Sequence, residues 1–299
     1  MFSMIASPLT ANARFISYGV YNDFMKRIGD PGVPVPAIMA EQESRETYIA
    51  RIQKFIEERA EAYRAEGIPV ADDGRIDPNP PDEAEIWGRK LVENTPHANT
   101  QKKEIPTPTE QVELLSLAIF AKNLPQNEFV IARSSQQDNL KDRVSTLILE
   151  RRTGNLVCAF SEVGANDNEE YREETGKKAV DISKLNLQGG ASFDHGIIKN
   201  DDGAIAISEV ENVPVFYLAL PPRHLYDGLK SFLPRMEQSE VEKRLFVFFV
   251  ATINKQIAEL GIKKEQLNRA LAERLASFQK TIEYQKSRED LPSFKNPLK

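Results

Sequence analysis

Arg143 to Val163, RVSTLILERRTGNLVCAFSEV, is the stretch that decides the fold. Val144–Leu149 and Leu156–Val163 are rich in β-branched and aliphatic residues, the composition of strands. Between them, Arg152-Thr153-Gly154 forms a short loop ending in glycine, which suits a type I turn followed by a left-handed bulge residue. The spacing therefore predicts a β-hairpin in which Arg151 faces Asn155. Counting back, Ser145 falls opposite Ser161, on one face of neighbouring strands and in cross-strand contact. Glu162, one residue further, falls on the other face, the same side as Asp142.

The flanks of the hairpin carry equally readable signals. Thr107-Pro108-Thr109-Glu110 can cap a helix, with proline at its first position and Glu110 closing a capping box, and the apolar run from Val112 to Leu124 extends it over 108–123. Glu128 to Arg133 reads as a short buried strand. Residues 167–187 are polar and helix-compatible. Gly189-Gly190 breaks that helix before a strand over 191–198, and 213–220 (VPVFYLAL) is a strong strand. Asp201-Asp202-Gly203 is a turn signal between 193–199 and 204–210.

This order, helix, three strands, helix, strands, resembles the PD-(D/E)XK nuclease core over roughly residues 107–220. The local phrasing TGNLVCAFSEV, Gly-Gly and NVPVFYL is also similar to a group of uncharacterised bacterial proteins with that core. The resemblance implies an α+β fold with a mixed central sheet of the α-β-β-β-α-β, restriction-endonuclease-like type. It also implies an acid on each hairpin strand, the pair binding Mg²⁺, with a nearby lysine assisting. On that alignment both acid positions are serine, Ser145 and Ser161. Two neutral hydroxyls do not replace two carboxylates around a hard divalent cation. Three readings follow: a degenerate, non-catalytic member; a site that has migrated, using Asp142, Glu150 or Glu162, of which Asp142 and Glu162 can approach diagonally; or strand serines with no such history. Lys177 and Lys178, on the helix after the hairpin, stand where some nucleases of this fold supply the lysine. The alternative for them is a solvated face in i,i+4 pairing with Glu173 and Glu174.

Composition frames these readings. The chain has 299 residues, enough for one large or two small domains, with 40% hydrophobic and 28% charged residues. A net charge of −6 gives no global reason to bind nucleic acid, so any such contact needs a local patch. The candidates are Lys141, Arg143, Arg151 and Arg152, with Lys177 and Lys178. The single cysteine, Cys158, lies in an apolar strand and reads as a buried inert thiol. His97, His195 and His224 lack metal-ligand spacing; His195, on a strand near the hairpin, is the one to follow. Nucleotide-binding glycine motifs are missing. The N-terminus does not read as a signal peptide, and the apolar run Leu245 to Ile253 is too short to span a membrane, so a cytoplasmic location is expected.

The remainder is helical. Residues 41–66 form a long amphipathic helix ending at Gly67. Residues 67–107 read as a loop around one short helix, 82–94, that carries Trp87. Ser239 and Glu242 cap the first arm of a C-terminal helical hairpin, the second arm spanning about 264–286. The expected organisation is thus 1–106 as helical and loop region, 107–222 as nuclease-like core, and 223–299 as helical hairpin and tail. Two functions stand open. One is a nuclease-fold protein with lost or impaired Mg²⁺-dependent phosphodiesterase activity that retains nucleic-acid binding. The other is a structural protein whose helices bind a protein partner or a second copy. A concave, charged face around Ser145 and Ser161 favours the first; a face filled by Leu147, Ala159 and the 108–123 helix favours the second.

Overall fold

A helix whose whole circumference is buried organises this molecule. The computed structural model describes residues 44–77, 105–199, 205–262, 265 and 267–288. The 82–94 helix with Trp87, His97, the 201–203 turn, the first 43 residues and residues 289–299 lie outside the described residues. Helix α1 (Arg45–Ala65) is capped by Ser44 and buries Ile49, Ile52, Phe55 and Ile56. Helix α2 (Pro108–Asn123) has the predicted Thr107/Glu110 capping box, and from Gln111 to Asn123 it is buried on every side. An all-round apolar helix belongs in a core. Strand β1 (Phe129–Arg133), the short helix α3 (Gln136–Asp142), β2 (Thr146–Glu150) and β3 (Leu156–Val163) follow. Then come α4 (Asn168–Leu187), the ribbon β4 (Ala191–Lys199) and β5 (Ile205–Val213), β6 (Val215–Ala219), α5 (Pro222–Ser231), α6 (Glu240–Ile262) and α7 (Arg269–Arg288).

The fold is α+β with a mixed central sheet in the order β1-β2-β3-β6. β1, β2 and β3 are antiparallel neighbours, and β6 is parallel to β3. A parallel partner requires a crossover, which α4 and the β4–β5 ribbon supply. β3 is buried along its entire length, because α2 covers one face and α4 with the ribbon covers the other. Phe120 of α2 packs on Phe160 of β3 at 4.8 Å between ring centres. The long N-terminal helix and the C-terminal helical pair join the same apolar core, with Phe278 of α7 stacked on Phe216 of β6.

The hairpin differs from expectation at its turn. Glu150 N donates to Asn155 O and Gly154 N donates to Glu150 O, so the connection is one residue longer than the predicted loop. Gly154 is left-handed as expected, at φ 73°. A bulge then restores the register: Leu149 pairs with Leu156 but Ile148 pairs with Cys158. Regular pairing ends at Thr146 with Phe160.

Both edges of the sheet are closed by other parts of the chain. On β1, Arg133 N donates to Gly74 O at 2.8 Å, Ile76 N donates to Arg133 O at 2.9 Å, and Tyr63 Oη receives Ile131 N at 3.3 Å. On β6, two side-chain amides stand in for a missing strand. Asn186 of α4 accepts from Val215 N (3.0 Å) and donates to Val215 O (2.7 Å). Gln256 of α6 does the same for Tyr217 (3.0 and 2.9 Å). Open edges invite pairing between molecules, and these amides remove the opportunity. Gln256→Ala strips Tyr217 of both partners, each buried group costing about 1–3 kcal/mol. The variant is expected to unfold at lower denaturant and to self-associate with rising concentration, as read by denaturant melts and light scattering. Unchanged stability and a monodisperse variant would contradict the edge role.

Candidate functional site: a sealed carboxylate in the hairpin

The hairpin end opposite the turn holds the chemistry. α2 is fastened there by its first turn: Thr109 Oγ1 donates to Gly164 O and accepts from Gly164 N, both at 3.2 Å. Residue 164 must be glycine for this approach, since a Cβ would lie 2.2 Å from the Pro108 carbonyl oxygen. The clamp sets Glu113 and Ser116, on successive turns of α2, over the end of β3.

Glu162 sits beneath them and is 3% exposed. Its Oε1 accepts from Thr146 Oγ1 at 2.7 Å and lies 3.0 Å from Ser116 Oγ, whose proton is also within reach of Glu113 O at 3.1 Å. Its Oε2 accepts from Ser145 Oγ. Burial raises the Glu162 pKa, and the three hydroxyl donors offset only part of that. Glu113 is pushed up to about 7, first by burial and next by the charge of Glu162. Arg133 lies 3.3 Å from Glu113 and pulls the other way, but its own partners divide it, because Asp73 is also 3.3 Å away. Desolvation of the carboxyl and the charge of Glu162 outweigh Arg133 and Arg75 together. The result is a polar thread from Glu162 through Glu113 and Arg133 to the surface residue Asp73.

The predicted pairing of Ser145 with Ser161 is not what forms. Ser161 faces α4, where Lys178 Nζ donates to its Oγ at 2.9 Å and its own proton goes to Arg143 O. Ser145 turns toward α2 and Glu162. The cause is local: Arg143 caps α3 in the left-handed conformation, β2 starts only at Thr146, and Ser145 N donates to Phe160 O outside the regular ladder. Strict alternation therefore does not apply to Ser145. Asp142 ends α3, and its side chain lies outside the described residues. Glu162 is engaged instead by three hydroxyls and the nearby Glu113. Sequence reading missed Glu113, although two polar residues, Glu113 and Ser116, interrupt the apolar run of α2.

The basic candidates do not gather in one place. Arg151 and Arg152 stand at the turn, while Lys141 and Arg143 stand at the other end of β2. Five strand residues put roughly 17 Å between these ends at about 3.3 Å per residue. Arg151 pairs with Glu66, and Lys141 with Asp194 at 2.9 Å. Lys177 is exposed and paired with Glu173 and Glu174, whereas Lys178 turns inward to Ser161. His195 is held through Nδ1 by Asp138 Oδ2 and Ser135 Oγ, both at 3.3 Å, and these bonds pin β4 to α3. Cys158 is buried, and burial raises its thiol pKa well above the usual value.

The donor set around Glu162 does not fit Mg²⁺. An octahedral shell needs carboxylate oxygens and water, and both oxygens of Glu162 are engaged by hydroxyls in a sealed site. Among the described residues, no group of three or more His, Cys, Asp or Glu is placed to hold a metal, and no helix is long and apolar enough to cross a membrane.

The raised Glu113 pKa has a defined consequence for stability. Its folded pKa of about 7 lies above the ordinary 4.5. Its protonation therefore contributes stability that is fully present below pH 4.5 and is lost as pH rises toward 7. Glu113→Gln lacks that loss. The stability of the variant relative to the native chain should rise by on the order of 3 kcal/mol between about pH 4.5 and 8. Denaturant melts across that range measure it, and parallel profiles would contradict the assignment.

Comparison with known proteins finds no matching family model, no matching curated relative and no matching solved structure.

Proposed function

We propose that this chain is a restriction-endonuclease-like scaffold whose metal-dependent phosphodiesterase chemistry is lost, and that it works by binding rather than by cutting. The element order α2-β1-β2-β3-α4-β6, with β6 parallel to β3, supports the scaffold reading. The observation that carries the loss of chemistry is Glu162. This acid near the end of β3 is closed under α2 and satisfied by Ser145, Thr146 and Ser116, where a hydrolytic site needs open carboxylates, water and substrate phosphate.

A second reading, a structural or interaction protein using its helical surfaces, draws support from one specific feature. Both faces of the hairpin are filled, one by α2 through Phe120 and the other by the Leu147–Ala159 layer under α4 and the ribbon.

The test is cleavage of supercoiled plasmid and single-stranded DNA and RNA with Mg²⁺ or Mn²⁺, native chain beside Glu162→Gln and Lys178→Ala. The expected result is no cutting by any of the three. Cutting by the native chain that either substitution abolishes would overturn the reading. The pair Ser145→Asp and Ser161→Asp is expected to stay inactive too, since the two side chains point to opposite sides of the sheet.

A further inference from the structure

Of the four strand edges in the two sheets, three already carry partners. β1 is sealed by Tyr63 and the 74–76 segment, and β6 by Asn186 and Gln256. The outer edge of β4 is held by Thr153, whose carbonyl accepts from Lys199 N at 3.1 Å. The Asp138 carboxylate holds the same edge, accepting from Asp194 N at 2.8 Å and His195 N at 3.3 Å. β5 differs. Among the described residues, no backbone group of residues 205–211 is bonded outside the β4 ladder. Over residues 205–208 that ladder is regular, and the strand has no proline or charge there to blunt its edge. All four of these residues are part-exposed.

The backbone fixes which groups face outward. Lys199 N is spent on Thr153, so Lys199 and its cross-strand partner Ile205 form a non-hydrogen-bonded pair. The N–H and C=O of Ile205 therefore point away from β4, and alternation gives the same direction to Ile207 and Glu209. Charge is laid out along this edge as well. Lys199 and Glu209 are both exposed, and among the described residues neither is in a salt bridge. They do not meet within one ribbon, because Glu209 lies about 13 Å along the strand from Ile205 at about 3.3 Å per residue.

We propose that β5 pairs antiparallel with β5 of a second copy of this chain, about a two-fold axis through Ile207. The outward N–H and C=O of Ile207 then exchange bonds with the same groups of the partner's Ile207, and Ile205 faces the partner's Glu209. Lys199, Ile205 and the partner's Glu209 form one row across three strands. Two long charged side chains span those two strand spacings, about 10 Å in all. The two-fold repeats this pair at the other end of the interface. A register centred on Glu209 would instead set two carboxylates face to face, which disfavours it. Because the outer edges of β4 are closed, the joined four-stranded ribbon offers no further edge, and assembly stops at two copies. The interface lies on the ribbon and not on the helical surfaces, and it does not depend on nucleic-acid binding or on the loss of phosphodiesterase chemistry.

The test is sedimentation velocity of the full chain across a wide range of concentration. The native protein is expected to pass from one chain of 33.7 kDa to a species of twice that mass and no larger. Lys199→Glu and Glu209→Lys each place like charges in both rows of the interface and should weaken the dimer by about five- to tenfold. The double variant carrying both substitutions should regain native association, which an effect inside one chain does not produce, since the two side chains are far apart there. Ile207→Pro removes the central donor and should leave single chains; proline is tolerated at a strand edge. Melting temperatures check that each variant is folded. A native chain that stays single at every concentration would overturn the proposal. So would a dimer untouched by both charge reversals, a double variant no better than either single one, or a folded Ile207→Pro chain that still dimerises.

Discussion

A carboxylate that cannot reach water governs the centre of this protein. Glu162 lies in the most buried strand of the sheet, and leaving its oxygens unsatisfied would cost several kcal/mol. Three hydroxyls converge on it: Ser116 from α2, Thr146 from the first position of β2, and Ser145 just before that strand. Each needs the backbone around it to be exact in position, so the cage also fixes how α2 lies on the hairpin. The Thr109–Gly164 clamp works to the same end, about two turns earlier in α2.

The rest of the architecture keeps that centre closed. Tyr63 and the 74–76 segment seal β1, and Asn186 and Gln256 seal β6. At the far end of α2, Lys122 is fully buried against Glu242 and over the Phe232 ring, tying α2 to α6. The Ser239/Glu242 capping box makes that same glutamate the N-terminal fastening of α6. Polar groups are thus used as fasteners between elements throughout. Such an arrangement suits a rigid scaffold better than a site that must admit substrate, metal and water together.

Much of the fold was legible because its signals are local. The Thr107/Glu110 and Ser239/Glu242 capping boxes, the Gly154 turn and the alternation of strand and helix patterns each depend on residues a few positions apart. The hairpin register over Thr146–Ile148 was also legible, for a less direct reason: the longer turn and the bulge before Cys158 shift it in opposite senses and cancel. Helix α3 was missed because QQDNLKD lacks an apolar stripe and is held by the Ser135–Asp138 cap and by Asp138 accepting from Asp194 N. The β1-sealing segment at 70–76 was read as loop, since its partner is far away in sequence. The site was least legible. Which side Ser145 faces depends on the left-handed Arg143 two residues before it, a conformation that arginine does not announce. The place of Glu113 beside Glu162 depends on how α2 crosses the sheet. Lys177 and Lys178 are neighbours in sequence, yet one is solvated and the other turned inward, because the helical phase relative to β3 is a tertiary fact.

The central claim is that Glu162 is a structural carboxylate held by hydroxyls and not a metal ligand. Calorimetric titration of Mg²⁺ and then Mn²⁺ into the native chain near neutral pH tests it most directly, with Glu162→Gln as reference. The account predicts no saturable heat for either ion and identical traces for the two proteins. Saturable binding by the native chain that Glu162→Gln abolishes would contradict it.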